Sequence, residues 1–357
     1  MSGTVKRAPE IDALIRQNRA FAAYRLPGEN RLHYIGQENP SVRIFSSVES
    51  LNKQNGFVIA PFRVSETCPI VLIEAGEETV FELPEVAAAS GKSENSRQAP
   101  STDYRSRFDV FIQALADKEF EKLVLSYCMT VPHKTGFSPE KVFYRACKRY
   151  IRSYVYLFHT PQTGTWLGST PEVLLAGKEN KWHTVALAGT LPLRDGQLPE
   201  TWDERKQKEQ QFVTDYIRNC LHSYDVCYEE TGPYSVQAGE LAHLKTDFRF
   251  SLPAGNQSLG ELLNVLNPTP AVCGLPKEKA FRFITANEGY DRRYYSGFIG
   301  RLNPGEQTGL YVNLRCMQIE DNRLLLYAGG GLVASSDLEE EWMETEDKLQ
   351  TMLRIID

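Results

Sequence analysis

The sequence predicts an α+β fold of packed layers rather than a parallel, doubly wound sheet. Short strand-like runs interleave with helix-period segments along the chain. Two runs near the C-terminus, 309–318 and 323–333, flank the polar residues 320–322 as a hairpin. Such antiparallel pairs between helices build layers, whereas a doubly wound sheet needs regular strand–helix alternation. The 357 residues are 41% hydrophobic and 24% charged, an ordinary globular composition able to bury a sizeable core.

The elements follow in order. Residues 41–46, 56–61, 70–74 and 79–83 are short strand-like pieces, giving a β-rich N-terminal region over residues 1–100. Residues 86–102, VAAASGKSENSRQAPST, are rich in Ala, Ser and polar side chains and read as a mobile loop. Stronger patterns fill residues 103–357. Phe108, Phe111, Ile112 and Leu115 recur at helical spacing and predict a helix over 104–118, with a strand over 122–131. Ser138 is a plausible N-cap for a helix over 139–153. Strands are expected over 154–159, 165–167 and 173–175. A long helix over 202–222 presents Phe212, Val213, Tyr216, Ile217, Cys220 and Leu221 as its apolar face. Helices over 259–266 and 277–287 flank NPTPAVCGLP, and a helix over 338–355 closes the chain.

Composition excludes several classes. The net charge is −6 with 40 basic and 46 acidic residues well mixed, so no basic stripe exists to track nucleic acid. No apolar run approaches the roughly 20 residues that cross a membrane. Residues 1–12 lack the apolar centre of a signal peptide. Seven scattered Cys without a Cys-x-x-Cys argue against a disulfide or zinc framework and lead us to expect a reducing cytoplasm. Six well-separated His give no transition-metal cluster.

Three features carry candidate chemistry. Glu341, Glu344 and Lys348 share one stripe of the last helix. Two carboxylates one turn apart can hold a hard cation such as Mg²⁺; from the helix alone the stripe reads more readily as a solvated face with a Glu344–Lys348 ion pair. Gly329, Gly330 and Gly331 interrupt an apolar strand, which calls for a bulge or a close approach of backbone to a ligand, and bare N–H groups there could hold a carboxylate. Strand alternation places Asn313, Arg315 and Met317 on one face and Val312, Leu314 and Cys316 on the other. The Arg315 fork suits a carboxylate, or it lies on an exposed sheet face.

At this point ordered motifs become recognisable: EKLVLSY, GSTPEVLL, ALAGTLPLR, LNPTPAVCGLP, EGYDRRYYSGFIG, LRCMQIEDNRLLLYAGGGLV and EEEWMETEDKL. Together they resemble the chorismate-utilising enzymes over about residues 118–355. That family includes isochorismate, salicylate, anthranilate and aminodeoxychorismate synthases. The resemblance implies one large domain with two central antiparallel sheets flanked by helices, and Mg²⁺ bridging the protein and the ring carboxylate of chorismate. It implies Glu209 and Glu344 as metal ligands, with Glu341 behind them or on a metal-bound water. Lys206 departs from the family pattern, which carries an acidic residue there. Substrate contacts carry over to Gly189, Thr190, His243, Tyr295, Arg315, Gly330 and Lys348; the alternative for His243 on a general reading is a satisfied core histidine.

Within the family, water-using members have a Lys at the position of Lys122 and aminating members a Gln. Water is a poor nucleophile that needs a general base, a role open to a desolvated Lys. Glu172, in the apolar setting Pro171–Leu175, becomes the general acid that protonates the departing hydroxyl. Ala188 stands where aminodeoxychorismate synthases often place a nucleophilic Lys, and no amidotransferase segment or subunit is expected. The expectation is an isomerase, an isochorismate synthase adding water at C2 with loss of the C4 hydroxyl. Salicylate synthase, which adds pyruvate elimination, is the alternative. The product would feed menaquinone or a siderophore, with a lean to menaquinone.

Overall fold

The computed structural model describes residues 8–37, 41–75, 77–84, 99–193, 195–252 and 258–356. Residues 85–98, which hold most of the predicted loop at 86–102, lie outside the described residues. The chain runs α1 (Ile11–Arg16), β1 (Phe21–Arg25), β2 (Arg31–Gly36), β3 (Arg43–Phe45), β4 (Gly56–Ala60), β5 (Ile70–Glu74), β6 (Glu77–Glu82), α2 (Thr102–Ala116), β7 (Lys122–Pro132), α3 (Pro139–Arg149), β8 (Tyr154–Thr160) and β9 (Gly164–Thr170). It continues β10 (Val173–Lys178), β11 (Lys181–Pro192), α4 (Glu204–Ser223), β12 (Tyr228–Ala238), β13 (Leu241–Phe250), α5 (Leu259–Leu266), β14 (Gly274–Leu275) and α6 (Lys277–Asn287). It ends β15 (Phe298–Leu302), β16 (Gln307–Val312), β17 (Cys316–Ile319), β18 (Arg323–Leu332) and α7 (Leu338–Ile356).

The strands form two antiparallel sheets of nine, ordered β14-β7-β18-β17-β9-β8-β1-β2-β6 and β12-β13-β11-β10-β16-β15-β4-β5-β3. Side-chain alternation explains the layering. In β8, Tyr154, Tyr156 and Phe158 enter an aromatic core between the sheets, while Val155 and Leu157 turn to the outer layer of α1, α3 and α7. In β4, Phe57 and Ile59 join the inner core, and Val58 and Ala60 face the layer holding α4 and α5. Helix α2 and helix α6 cover β7 and enclose Trp342 of α7. The architecture is the expected α+β class with two central antiparallel sheets.

Local chemistry sets the helix ends. Ser138 caps α3 by accepting from Lys141 N at 3.1 Å, although the helix ends at Arg149 rather than 153. Helix α4 begins at Glu204 because Asp203 accepts from Lys206 N at 2.9 Å.

The predicted strand over 309–318 is corrected. It breaks at Asn313–Arg315, where the chain leaves β16 in the second sheet and enters β17 in the first. Arg315 has φ +40°, so it does not sit in a regular strand and the predicted face alternation fails there. The hairpin therefore pairs β17 with β18. A second crossing runs beside it, from β9 through Pro171–Glu172 to β10. The two crossings are laced together: Ser169 N donates to Arg315 O at 3.1 Å, Val312 N to Glu172 O at 3.0 Å and Thr170 Oγ1 to Val312 O at 2.7 Å.

Asn313 secures this junction. Its amide donates to Tyr294 O at 2.8 Å, and its carbonyl accepts from the Tyr156 hydroxyl. Asn313→Ala leaves the buried Tyr156 hydroxyl without its acceptor and takes one of two donors from Tyr294 O, which keeps Gly297 N at 3.3 Å. We expect a loss of about 1–3 kcal/mol in chemical denaturation, the usual range for one orphaned buried group.

Candidate active site

The floor of the site is the glycine run of β18. Its ladder with β7 is continuous from Arg323↔Pro132 to Leu332↔Leu123, so no bulge exists and close approach explains the glycines. A Cβ at Gly331 would collide with Glu209 Oε1 and lie 2.7 Å from Lys122 Cε. A Cβ at Gly330 would lie 3.2 Å from Glu341 Oε2 and 3.8 Å from Glu344 Oε1. The bare backbone thus clears a space into which β7, α4 and α7 send charged side chains. Gly331→Ala should push Lys122 and Glu209 apart, costing about 1–3 kcal/mol of stability by overpacking; its measured kcat should fall further than that of Gly305→Ala, a change at an open turn.

Three carboxylates and three ammoniums share this space. Lys122 is fully buried, with Nζ 3.3 Å from Glu209 Oε1 and no hydrogen-bond partner. Lys206, on the inner face of α4, donates to Glu344 Oε2. Lys348 donates to Glu344 Oε1 and to Gly329 O, each at 2.8 Å. Glu341 Oε1 accepts from Ser336 Oγ at 2.9 Å and lies 3.4 Å from Arg205 Nη1, while its Oε2 has no partner. Burial and the neighbouring Glu344 push the Glu341 carboxyl up to about 7. Burial opposes ionisation of Glu344, but Lys348 and Lys206 hold it well below the usual carboxylate range. Burial likewise opposes the charge on Lys206, but Glu344, Glu209 and Glu341 raise it above an ordinary lysine. The stripe of α7 therefore faces the sheet rather than solvent.

The strand crossings supply the opposite wall. Glu172 is buried, and Thr269 Oγ1 donates to its Oε1 at 3.4 Å. Burial pushes the Glu172 carboxyl up to about 8, with Lys122 the largest opposing influence. Arg315 is buried and donates to Ala238 O at 3.2 Å and to His243 Nε2. A guanidinium only donates, so His243 Nε2 accepts and Nδ1 carries the proton, which it gives to Gly189 O at 3.0 Å. Burial and the adjacent Arg315 hold His243 neutral, far below the ordinary histidine value. Burial lowers Arg315 to about 10. Gly189 has φ +72° at the register shift of β11 between Ala188 and Thr190, a conformation that favours glycine. Thr190 Oγ1 lies 3.3 Å from His243 Nδ1. Tyr295 is buried and stacks on Tyr327 with ring centroids 5.5 Å apart.

One cleft is lined by Glu172, Gly189, Thr190, Glu209, His243, Tyr295, Arg315 and Lys348 together. Gly330 itself does not line it; Gly329 and Gly331 do. Lys122, Glu341 and Glu344 stand behind the lining and meet it through Glu209, Gly331 and Lys348. Sequence reasoning assigned nothing to Thr269, though it lies in the quoted PTPA segment. It also missed the buried network behind Tyr295. Arg292 there donates to Glu288 through Nε and Nη2 at 2.6 Å, and Glu288 Oε1 accepts from Ser126 N at 2.8 Å.

A family model described as chorismate binding enzyme matches residues 72–357. The chain belongs to the chorismate-binding enzymes. Among similar proteins, isochorismate synthase DhbC of Bacillus subtilis is 28% identical over 297 residues, covering 77% of this chain and 73% of that one. Isochorismate synthase MenF of Escherichia coli is 27% identical over 264 residues, covering 71% of this chain but only 61% of the relative's length. The crystal structure of a Bacillus anthracis DhbC, titled as a 2,3-dihydroxybenzoate-specific isochorismate synthase, aligns with TM-score 0.78 and 22% identity over 97% of this chain and 99% of that chain. The Escherichia coli MenF structure aligns with TM-score 0.76 and 20% identity, covering 95% and 89%. These likenesses show a shared fold. Among the described residues no helix is long and apolar enough to cross a membrane.

For a chorismate-binding enzyme, the donor set suits a hard divalent cation in kind. Three carboxylates reach the cleared space over Gly330 and Gly331, and Glu341 Oε2 is buried there without a partner. Among the described residues no three such donors are already drawn around one point; ammoniums hold Glu209 and Glu344 instead.

Proposed function

We propose that this chorismate-binding enzyme is an isochorismate synthase, working with Mg²⁺ to convert chorismate to isochorismate by water addition at C2 and loss of the C4 hydroxyl. The observation that carries it is the pair Glu172 and Lys122. A buried carboxyl pushed up to about 8 stays protonated at neutral pH, while a fully buried amine is held by a carboxylate at 3.3 Å. Glu172 donates its proton to the departing C4 oxygen, and Lys122, once its ammonium has given up a proton, takes one as the neutral amine from the attacking water. Thr269 orients the acid. Arg315, held by neutral His243 and Ala238 O, receives a substrate carboxylate, and Gly189, Thr190, Tyr295, Lys348 and the backbone at Gly329 and Gly331 complete the substrate's surroundings.

Glu209 and Glu344 would hold Mg²⁺, with Glu341 behind them, and when bound the ion supplies positive charge that binds and orients the ring carboxylate. The named relatives support the isochorismate product over salicylate. A Lys rather than a Gln at position 122 disfavours the aminating branch, so no amidotransferase partner is required. Purified protein, chorismate and Mg²⁺ should yield isochorismate by chromatography without ammonia. Salicylate with matching pyruvate would make it a salicylate synthase, and undiminished chorismate would remove the activity.

A further inference from the structure

We propose that the Lys206 ammonium is a tethered counter-ion that holds the Glu344 carboxylate in place of a divalent cation, so that metal binds well only together with an anionic substrate. This rests on the reading that Glu209 and Glu344 hold Mg²⁺.

The geometry is specific. Lys206 is 4% exposed and its only side-chain hydrogen bond among the described contacts goes to Glu344 Oε2. The other oxygen of Glu344 is taken by Lys348 at 2.8 Å. Both oxygens of Glu344 are therefore occupied before any metal enters. Glu209 in turn faces Lys122 at 3.3 Å. Three carboxylates stand against three ammoniums in this cluster, so its formal charges cancel. A site without excess negative charge gives a divalent cation little gain for shedding its water. Adding the ion alone leaves a desolvated excess of two positive charges. Chorismate carries two carboxylates, and its arrival restores neutrality. Metal and substrate then strengthen each other's binding, and by reciprocity each does so by the same factor.

Lys206 sits in the first turn of α4, where its backbone N–H donates to the Asp203 cap at 2.9 Å, so a change of its side chain leaves that cap in place. The neighbouring Arg205 contacts the exposed Glu340 at 2.8 Å and the buried Glu341 at 3.4 Å, so a cation stays on that helix edge in Lys206 variants.

The test is Mn²⁺ binding, read from the electron paramagnetic resonance signal of free Mn²⁺, with and without chorismate. In wild type we expect chorismate to tighten Mn²⁺ at least ten-fold. In Lys206→Met, Mn²⁺ alone should bind at least ten-fold tighter than in wild type, and chorismate should add less. Lys206→Arg, which keeps the cation, and Lys208→Met, an exposed charge on the same helix, should behave as wild type. Lys206→Gln repeats the test should the methionine variant not fold. Equal metal-only affinity in wild type and both neutral variants overturns the counter-ion role while leaving the metal assignment intact. Absence of Mn²⁺ binding in every protein, with chorismate present, overturns the metal assignment and the inference with it.

Discussion

Glu172→Gln is expected to lower kcat for isochorismate formation by about 10²–10⁴-fold, the usual range for removing a general acid, the role proposed for it, while chorismate still binds. The substitution keeps the shape and a partner for Thr269 but has no proton to give. In the proposed mechanism the reactive form of Glu172 is the protonated one. Its share of activity is present below about pH 8 and falls as pH rises through that value. A bell-shaped profile of kcat/KM should therefore lose its alkaline limb at this position in the variant's residual activity. Stability should move in the same sense. The folded carboxyl titrates near 8 against an ordinary 4.5, so between those values the folded state holds a proton that the unfolded chain has lost, and rising pH erodes stability. Glu172→Gln has no such erosion. It should melt above wild type at pH 9 and alongside it at pH 4, in paired thermal scans.

Lys122→Met is expected to abolish turnover to a comparable degree, about 10²–10⁴-fold, and to cost more in stability. The side chain is fully buried and pairs with Glu209 at 3.3 Å. Methionine fills the volume but leaves the carboxylate without its counter-charge, and breaking a buried pair costs about 3–5 kcal/mol. The two effects separate in one set of measurements. Melting reports the lost pair, and chorismate binding by calorimetry reports whether the cleft survives. A variant that binds chorismate yet does not turn it over places Lys122 in the chemistry. Unchanged turnover removes it from the mechanism.

Helical segments were legible because their signals are local. Helices α5 and α6 fall at the predicted 259–266 and 277–287, since apolar spacing marks both and the prolines between them bound the end of α5 and the start of α6. Strand β11 escaped notice because its burial is nearly continuous from Val185 to Thr190, without the alternation that identifies a half-buried strand. Strand β12 contains Gly232 and Pro233, which read as a turn. In the fold they fall in a register shift between Thr231 and Tyr234 on an edge strand, a position where proline is tolerated. The break at Asn313–Arg315 was hidden because no glycine or proline marks it; a positive φ at Arg315 is imposed by the strand exchange between sheets.

The site divides along the same line. Ordered motifs pointed to the proposed acid, base and carboxylate positions, and the fold draws those residues to one cleft and its floor. The pairings within that cluster depend on helices α4 and α7 meeting over β18, more than a hundred residues apart in the chain. No local pattern predicts that Lys206 reaches Glu344 or that Lys122 faces Glu209. The glycine run was noticed for the wrong geometric reason as well as the right one: it is an uninterrupted ladder, and what it accommodates is the protein's own charged side chains.

The central claim is that an amine-activated water enters the ring as a protonated hydroxyl leaves. The most direct test is turnover of chorismate in ¹⁸O-labelled water with Mg²⁺ and mass analysis of the product. Isochorismate carrying one solvent oxygen, at C2, with no pyruvate released, is the predicted result. Unlabelled product, or label-free ring with released pyruvate, would contradict it.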